Sequence, residues 1–142
     1  MDVPGVALVT GGGSGIGRAT CLLLAKEAVH GLVIADLNTT AADSVKAECS
    51  KVASNPNFTC VAVHLDVQQE RSVNSVIELT VQTFNRLDYA VNCAGIGLKR
   101  ALNDTTMDEW NKLIAINLTG VFTCVKAQCQ AMLKQKSLES QR

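Results

Sequence analysis

Small, polar and acidic residues in the first third of the chain are spaced as a cradle for an anion. Thr10-Gly11-Gly12-Gly13-Ser14-Gly15-Ile16-Gly17 follows an apolar run and opens a helical pattern. Glycines let the backbone turn tightly and approach a ligand, and a helix start offers unpaired N–H groups at its positive dipole end. Thr10, Gly11, Gly13, Ser14, Gly15, Ile16 and Gly17 are therefore the first candidate binding residues. The spacing G-x-x-x-G-x-G misses the dinucleotide fingerprint G-x-G-x-x-G, because Ile16 stands where a glycine is required. A P-loop is excluded as well: read from Gly12, the pattern continues into Arg18-Ala19 rather than lysine and a magnesium-binding hydroxyl.

Further groups stand where apolar runs end. Asp36, with Leu37 beside it, closes the second run nineteen residues after Gly17. A carboxylate there accepts ribose hydroxyls and repels a 2′-phosphate, and Ser14 adds no cation to the loop, so NAD is expected rather than NADP. Asp66, followed by Val67, closes the third run and is placed to receive an adenine amino group. Asn92 ends the fourth run and is expected to bridge neighbouring main chains, while Ala94 and Gly95 leave space for a ribose. Cys93 between them is read as core filler, since no histidine pattern activates it. Asn117 lies among Leu113, Ile114, Leu118 and Val121 on a face expected to enter the core, where an unpartnered amide costs about 1 to 3 kcal/mol.

The elements that position these groups follow from periodicity. Gly5 to Thr10, Leu32 to Ala35, Thr59 to Leu65 and Leu87 to Cys93 read as strands, mostly continuous apolar runs of the kind buried on both faces of a parallel sheet. Helical patterns separate them. One starts at Gly15 and is expected to end at Val29-His30-Gly31; a second is expected to be capped by Thr39 or Thr40; a third carries Val73, Val76, Ile77, Thr80, Val81 and Phe84. A last long helix is expected from Met107 to Lys136, with Trp110, Leu113, Ile114, Asn117, Leu118, Val121, Phe122 and Val125 facing inward. Strands alternating with helices argue for a doubly wound α/β fold, with residues 1–136 as one incomplete dinucleotide-binding domain and 137–142 as a polar, frayed tail.

Composition narrows the function classes. The chain has 142 residues, 47% hydrophobic and 18% charged, and its 13 basic and 13 acidic residues give no electrostatic case for nucleic acid or an anionic membrane. Six cysteines without a C-x-x-C pair, and histidines only at His30 and His64, give no metal-ligand spacing. The start Met1-Asp2-Val3-Pro4 shows no secretory signal, so a reducing, cytoplasmic compartment is expected.

Thr10-Gly11-x-x-x-Gly15-Ile16-Gly17, Asp36, Asp66, Asn92-Cys93-Ala94-Gly95 and Asn117 within Ile116–Phe122 resemble, in order and spacing, the short-chain dehydrogenase/reductase family, from about Val6 to Lys126. The resemblance implies a Rossmann-like sheet with strands ordered 3-2-1-4. It also implies an NAD cofactor and hydride transfer between nicotinamide and a small secondary alcohol or ketone. By it, residues 10 to 17 hold the pyrophosphate, Asp36 the adenosine ribose, Asp66 the adenine, and Ala94 and Gly95 the cofactor ribose region; Asn117 is the first of four catalytic residues. Cys93 departs from the family's Asn-Asn-Ala-Gly. The family's later serine and Tyr-x-x-x-Lys have no counterpart: Tyr89, the sole tyrosine, is followed four positions on by Cys93, and Ser137 and Ser140 lie in the tail. The chain is thus expected to be an N-terminal, cofactor-binding part that is inactive alone, with an exposed fourth strand, an under-packed last helix and a tendency to self-associate. Two other readings are a non-catalytic nucleotide-binding or interaction fragment from a truncated transcript or gene model, and a methyltransferase-like domain.

Overall fold

The computed structural model describes residues 4–136, so the tail expected at 137–142, with Ser137 and Ser140, lies outside the described residues. Four strands and their crossover helices run in strict alternation: β1 (Val6–Thr10), α1 (Gly15–Lys26), β2 (Gly31–Asp36), α2 (Thr39–Val52), β3 (Thr59–His64), α3 (Glu70–Phe84) and β4 (Tyr89–Asn92). A short 3-10 turn (Leu102–Asp104), α4 (Met107–Ile114), a π-helical stretch (Ala115–Gly120) and α5 (Val121–Leu133) complete the chain. All strands are parallel, in the order β3-β2-β1-β4.

Alternation along the central strands sends side chains to two cores. Ala7, Val9, Leu32 and Ile34 pack with Cys21 and Ala25 of α1 and Val45 and Cys49 of α2. Leu8, Val33 and Ala35 pack on the other face with Val73, Val76 and Ile77 of α3 and Cys124 and Ala127 of α5. Every residue of β1 is buried, whereas all four of β4, at the sheet's edge, are only half-buried. The fourth strand is thus at the edge, as expected, but half-buried rather than exposed. No helix among the described residues is long and apolar enough to cross a membrane.

Several local expectations are corrected. Helix α1 ends at Lys26, five residues before Gly31, and Ala28 takes the left-handed conformation (φ 63°). Gly31 instead opens β2, where a methyl group would lie 2.6 Å from the Phe84 ring. The cap of α2 is Asn38, whose side chain accepts from Ala41 N at 3.1 Å, with Thr39 and Thr40 inside the helix. The long final helix is two α-helices joined by a π segment, and α5 ends at Leu133.

Its inner face is also different. Leu118, Phe122 and Val125 are exposed, Phe122 to 66%, and Trp110 is exposed to 43%. Gly120, Cys124, Ala127 and Gln128 are buried instead. The reason is distance: a methyl at Gly120 would meet Val67 Cγ2 at 2.8 Å, so the helix lies too close to the core for large side chains. The last helix thus packs closely through its small residues and carries large apolar side chains outermost.

Candidate functional site

At the carboxyl ends of the strands, where open α/β sheets bind ligands, the loops enclose a groove of about 380 Å³. One wall is the turn from β1 into α1. Gly11 takes φ 65°, and a methyl there would lie 2.6 Å from Ala94 N, so the turn and the exit of β4 touch main chain to main chain. A methyl at Gly17 would stand 2.1 Å from the Gly11 carbonyl oxygen, which brings the first turn of α1 directly under the loop. Gly15, with φ 51°, has nothing within 4 Å of its outer face and opens on the groove. The Ser14 side chain makes no capping bond to this helix end, leaving first-turn N–H groups directed outward.

Asp36, at the end of β2, forms the next part of the wall. One carboxylate oxygen accepts from Gly13 N at 2.8 Å and the other from Asn38 N at 2.9 Å. These two bonds aim the carboxylate, and each oxygen keeps a lone pair for another donor. Asp66 is fixed in the same manner: its Oδ1 accepts from Gln68 N at 3.0 Å, and its own N–H donates to Ser72 Oγ at 3.1 Å. Asp36 and Asp66 are the charged side chains among the groove's lining residues. Arg18, one residue past the loop, turns away to Glu48 of α2, with Nε 3.2 Å from Oε1 and a second, shorter contact from Nη2 to Oε2. These bonds hold the Glu48 carboxyl below its usual range.

The groove thus brings together Gly11, Ser14, Gly15, Ile16, Gly17, Asp36, Leu37, Asp66, Val67, Ala94 and Gly95, eleven of the fifteen residues singled out from sequence. The other four stand behind it. Thr10 is buried, with its hydroxyl 3.3 Å from Asn92 Oδ1 and accepting from Ala94 N at 3.4 Å. Gly13 faces Asp36 and Ala41. Asn92 does not bridge main chains as expected; its amide pairs reciprocally with Gln128 of α5, at 2.9 and 3.0 Å. Asn117 is exposed rather than buried, and its amide closes a two-bond ring with the main chain of Ile96, accepting from the N–H at 2.9 Å and donating to the carbonyl at 2.8 Å. It sits within the π segment, so the helix is distorted where sequence reading placed a polar anomaly.

Sequence reasoning missed Leu65, Gln68, Cys93, Ile96 and Ile116 in the groove wall and Gln128 behind it. Cys93, read as filler, is half-buried and faces both the groove and the α1/α2 core. The signal for Gln128 is its seven-residue spacing from Gln135, which also bonds the β4 segment. Burial pushes the Cys60 thiol up to about 12 and those of Cys49 and Cys124 up to about 11, which keeps them protonated packing groups.

Comparison with known proteins agrees with this geometry. Residues 5–137 match the family described as short chain dehydrogenase. The chain is 39% identical to the short-chain dehydrogenase anuF of Penicillium roqueforti, across 95% of this chain and 50% of that protein. It is 42% identical to the short-chain dehydrogenase srdC of Neurospora crassa over the same shares. A short-chain type dehydrogenase/reductase from Mycobacterium ulcerans superposes with a TM-score of 0.85 at 18% identity, covering 94% of this chain and 48% of that one. The chain spans about half the length of the curated relatives it matches.

Proposed function

The chain belongs to the short-chain dehydrogenase family, and from that premise we propose that it is the NAD-holding part of an oxidoreductase acting on a small secondary alcohol or ketone. The groove's volume falls in the range of cofactor sites, and its glycine wall leaves main-chain N–H groups rather than side chains facing the space. The turn of residues 10 to 17 holds the pyrophosphate through the first-turn N–H groups of α1, with Thr10 and Gly13 supporting it from behind. Asp36, with Leu37, takes the ribose hydroxyls, and Asp66 and Val67 take the adenine. Ala94 and Gly95 bound the second ribose, with Asn92 supporting them from behind, and Asn117 serves the catalytic centre. When bound, the nicotinamide supplies or accepts the hydride. The chain's own part is to hold and orient it.

The observation that carries the choice of NAD is Asp36: a carboxylate aimed by Gly13 N and Asn38 N, in a groove whose other charged lining group among the described residues is Asp66, while Arg18 is engaged by Glu48. A 2′-phosphate meets no cation there, whereas ribose hydroxyls meet an acceptor. Fluorescence titration of the chain with NADH and NADPH tests this. Tighter binding of NADH by about tenfold is expected, a difference of one charge-assisted hydrogen bond; equal or preferred NADPH binding overturns it.

The 142 residues contain no Tyr-x-x-x-Lys, so this chain alone is expected to bind without turnover. Steady NADH oxidation with carbonyl compounds would overturn that. Six free thiols support a reducing compartment, the cytoplasm in this reading. The exposed Leu118, Phe122 and Val125 favour a second reading, an interaction module that associates with itself or another chain through this face. Sedimentation of Phe122→Glu against the parent chain tests this face: a shift from oligomer to monomer supports association through it, and a monomeric parent chain counts against it.

A further inference from the structure

We infer that Gln128, a helix residue outside the groove, is a positioning residue that holds the Ala94–Gly95 wall in place through a relay of hydrogen bonds. Gln128 is only 3% exposed, on a face of α5 otherwise made of Cys124, Ala127, Ala131 and Met132. Burying an amide costs about 1 to 3 kcal/mol unless both of its edges are bonded, and packing alone would accept a leucine or methionine. Both edges are bonded, and to one partner: Gln128 Nε2 donates to Asn92 Oδ1 at 3.0 Å, and Asn92 Nδ2 donates to Gln128 Oε1 at 2.9 Å.

The relay has a direction set by a group that cannot reverse. Ala94 N–H is a main-chain donor, so the Thr10 hydroxyl at 3.4 Å must accept from it. The single Thr10 proton is then directed at Asn92 Oδ1, 3.3 Å away. Asn92 Oδ1 therefore receives two donors, Thr10 and Gln128, and its amide plane is held on both edges only while Gln128 is present. Without it, the Asn92 amide is free to turn its NH₂ toward Thr10. The hydroxyl proton then loses its acceptor on Asn92, so the Thr10 oxygen is no longer oriented toward Ala94 N–H and that 3.4 Å bond slackens. Because Ala94 and Gly95 line the groove, the wall loosens where the ligand is to lie. The relay itself stands on these contacts; its effect on cofactor affinity rests on the dinucleotide reading above.

Gln135 supplies an internal control. It lies seven residues on and bonds the other end of the β4 segment, accepting from Leu87 N at 2.8 Å and donating to Leu87 O at 2.7 Å, away from the groove. The test compares the full chain with Gln128→Met, Gln128→Glu and Gln135→Met by amide hydrogen exchange at Ala94 and by NADH titration. Methionine keeps the volume and removes both hydrogen bonds; about five- to tenfold faster exchange at Ala94 and a similar loss of NADH affinity are expected. Glutamate buries a carboxyl and lowers the melting temperature further, yet still accepts from Asn92 Nδ2, so Ala94 exchange stays within about twofold of the parent. Gln135→Met lowers the melting temperature and leaves Ala94 unchanged. Unchanged Ala94 exchange in folded Gln128→Met, or equal acceleration in all three variants, overturns the inference. A parent chain that binds no NADH overturns the dinucleotide reading, while the exchange data still decide the relay.

Discussion

Helix α5 and the residues after it reach the two ends of the β4 segment through the same side chain, a glutamine, and the two joints differ in what surrounds them. At the amino end Gln135 spans the main chain of Leu87, and Asp88 receives Val6 N at 2.8 Å and the Arg86 guanidinium at 2.5 and 2.6 Å. The Tyr89 hydroxyl donates to Pro4 O at 3.0 Å. Polar groups there are partnered within the chain, and the end is closed. At the carboxyl end Gln128 spans Asn92, but the neighbouring strand-end loops leave main-chain N–H groups and the carboxylates of Asp36 and Asp66 facing a groove. Closed polar networks stabilise a fold; open ones, held rigid from behind, bind.

The largest effect that can test this contrast lies at the closed end. The Asp88 side chain is 5% exposed and that of Arg86 14%. Asp88→Ala takes the acceptor from Val6 N and the carboxylate from Arg86, which is expected to cost about 3 kcal/mol of stability. It leaves the groove residues untouched, so NADH affinity measured on the remaining folded chain should not change. A urea melt and a titration check the two halves. Loss of affinity in step with stability would erase the distinction between the ends.

Gly17→Ala moves to the open end with a somewhat smaller effect on stability. Its methyl would sit 2.1 Å from the Gly11 carbonyl, which is main chain and cannot swing aside. About 2 kcal/mol of overpacking is expected, against a helix-propensity gain of about 1 kcal/mol. The loop must shift, so binding should suffer more than stability, the reverse of Asp88→Ala. A further step down, Asp36→Ala removes the acceptor of Gly13 N and Asn38 N. It should weaken NADH by about tenfold, leave NADPH nearly unchanged, and narrow the preference between them in the fluorescence titration.

The contrast also explains what was legible in the sequence. Strand ends are easy to place, because a continuous apolar run stops at a polar residue, and so Asp36, Asp66 and Asn92 were found with the glycine turn. Partnerships across the fold are not: nothing local to Asn92 points to Gln128, thirty-six residues away. Helix faces were misread where size outweighed hydrophobicity. Leu118, Phe122 and Val125 carry larger apolar side chains than Gly120, Cys124 and Ala127, yet only the small residues fit against Val67 and the sheet. The π segment compounds this, since its wider turn breaks the 3.6-residue count at Asn117.

The smallest effect comes from another arginine–carboxylate pair, Arg18 and Glu48, which repeats the chemistry of the closed end at the rim of the open one. Arg18 and Glu48 tie α1 to α2 with side chains 45% and 34% exposed, so solvent screens what Asp88 and Arg86 feel in full. Glu48→Gln should lower the melting temperature less than any substitution above, and salt should shrink the difference further. Its pH dependence has a definite sign. The hydrogen bond from Arg18 holds the Glu48 carboxyl below its usual range. The folded state therefore favours the charged form, and the pair's contribution is complete above the ordinary carboxylate pKa. It fades as pH falls through the lowered value. Parent and Glu48→Gln melting curves should converge in that acidic window and stay apart at neutral pH. Convergence at neutral pH instead would mean that the guanidinium contributes through packing rather than charge.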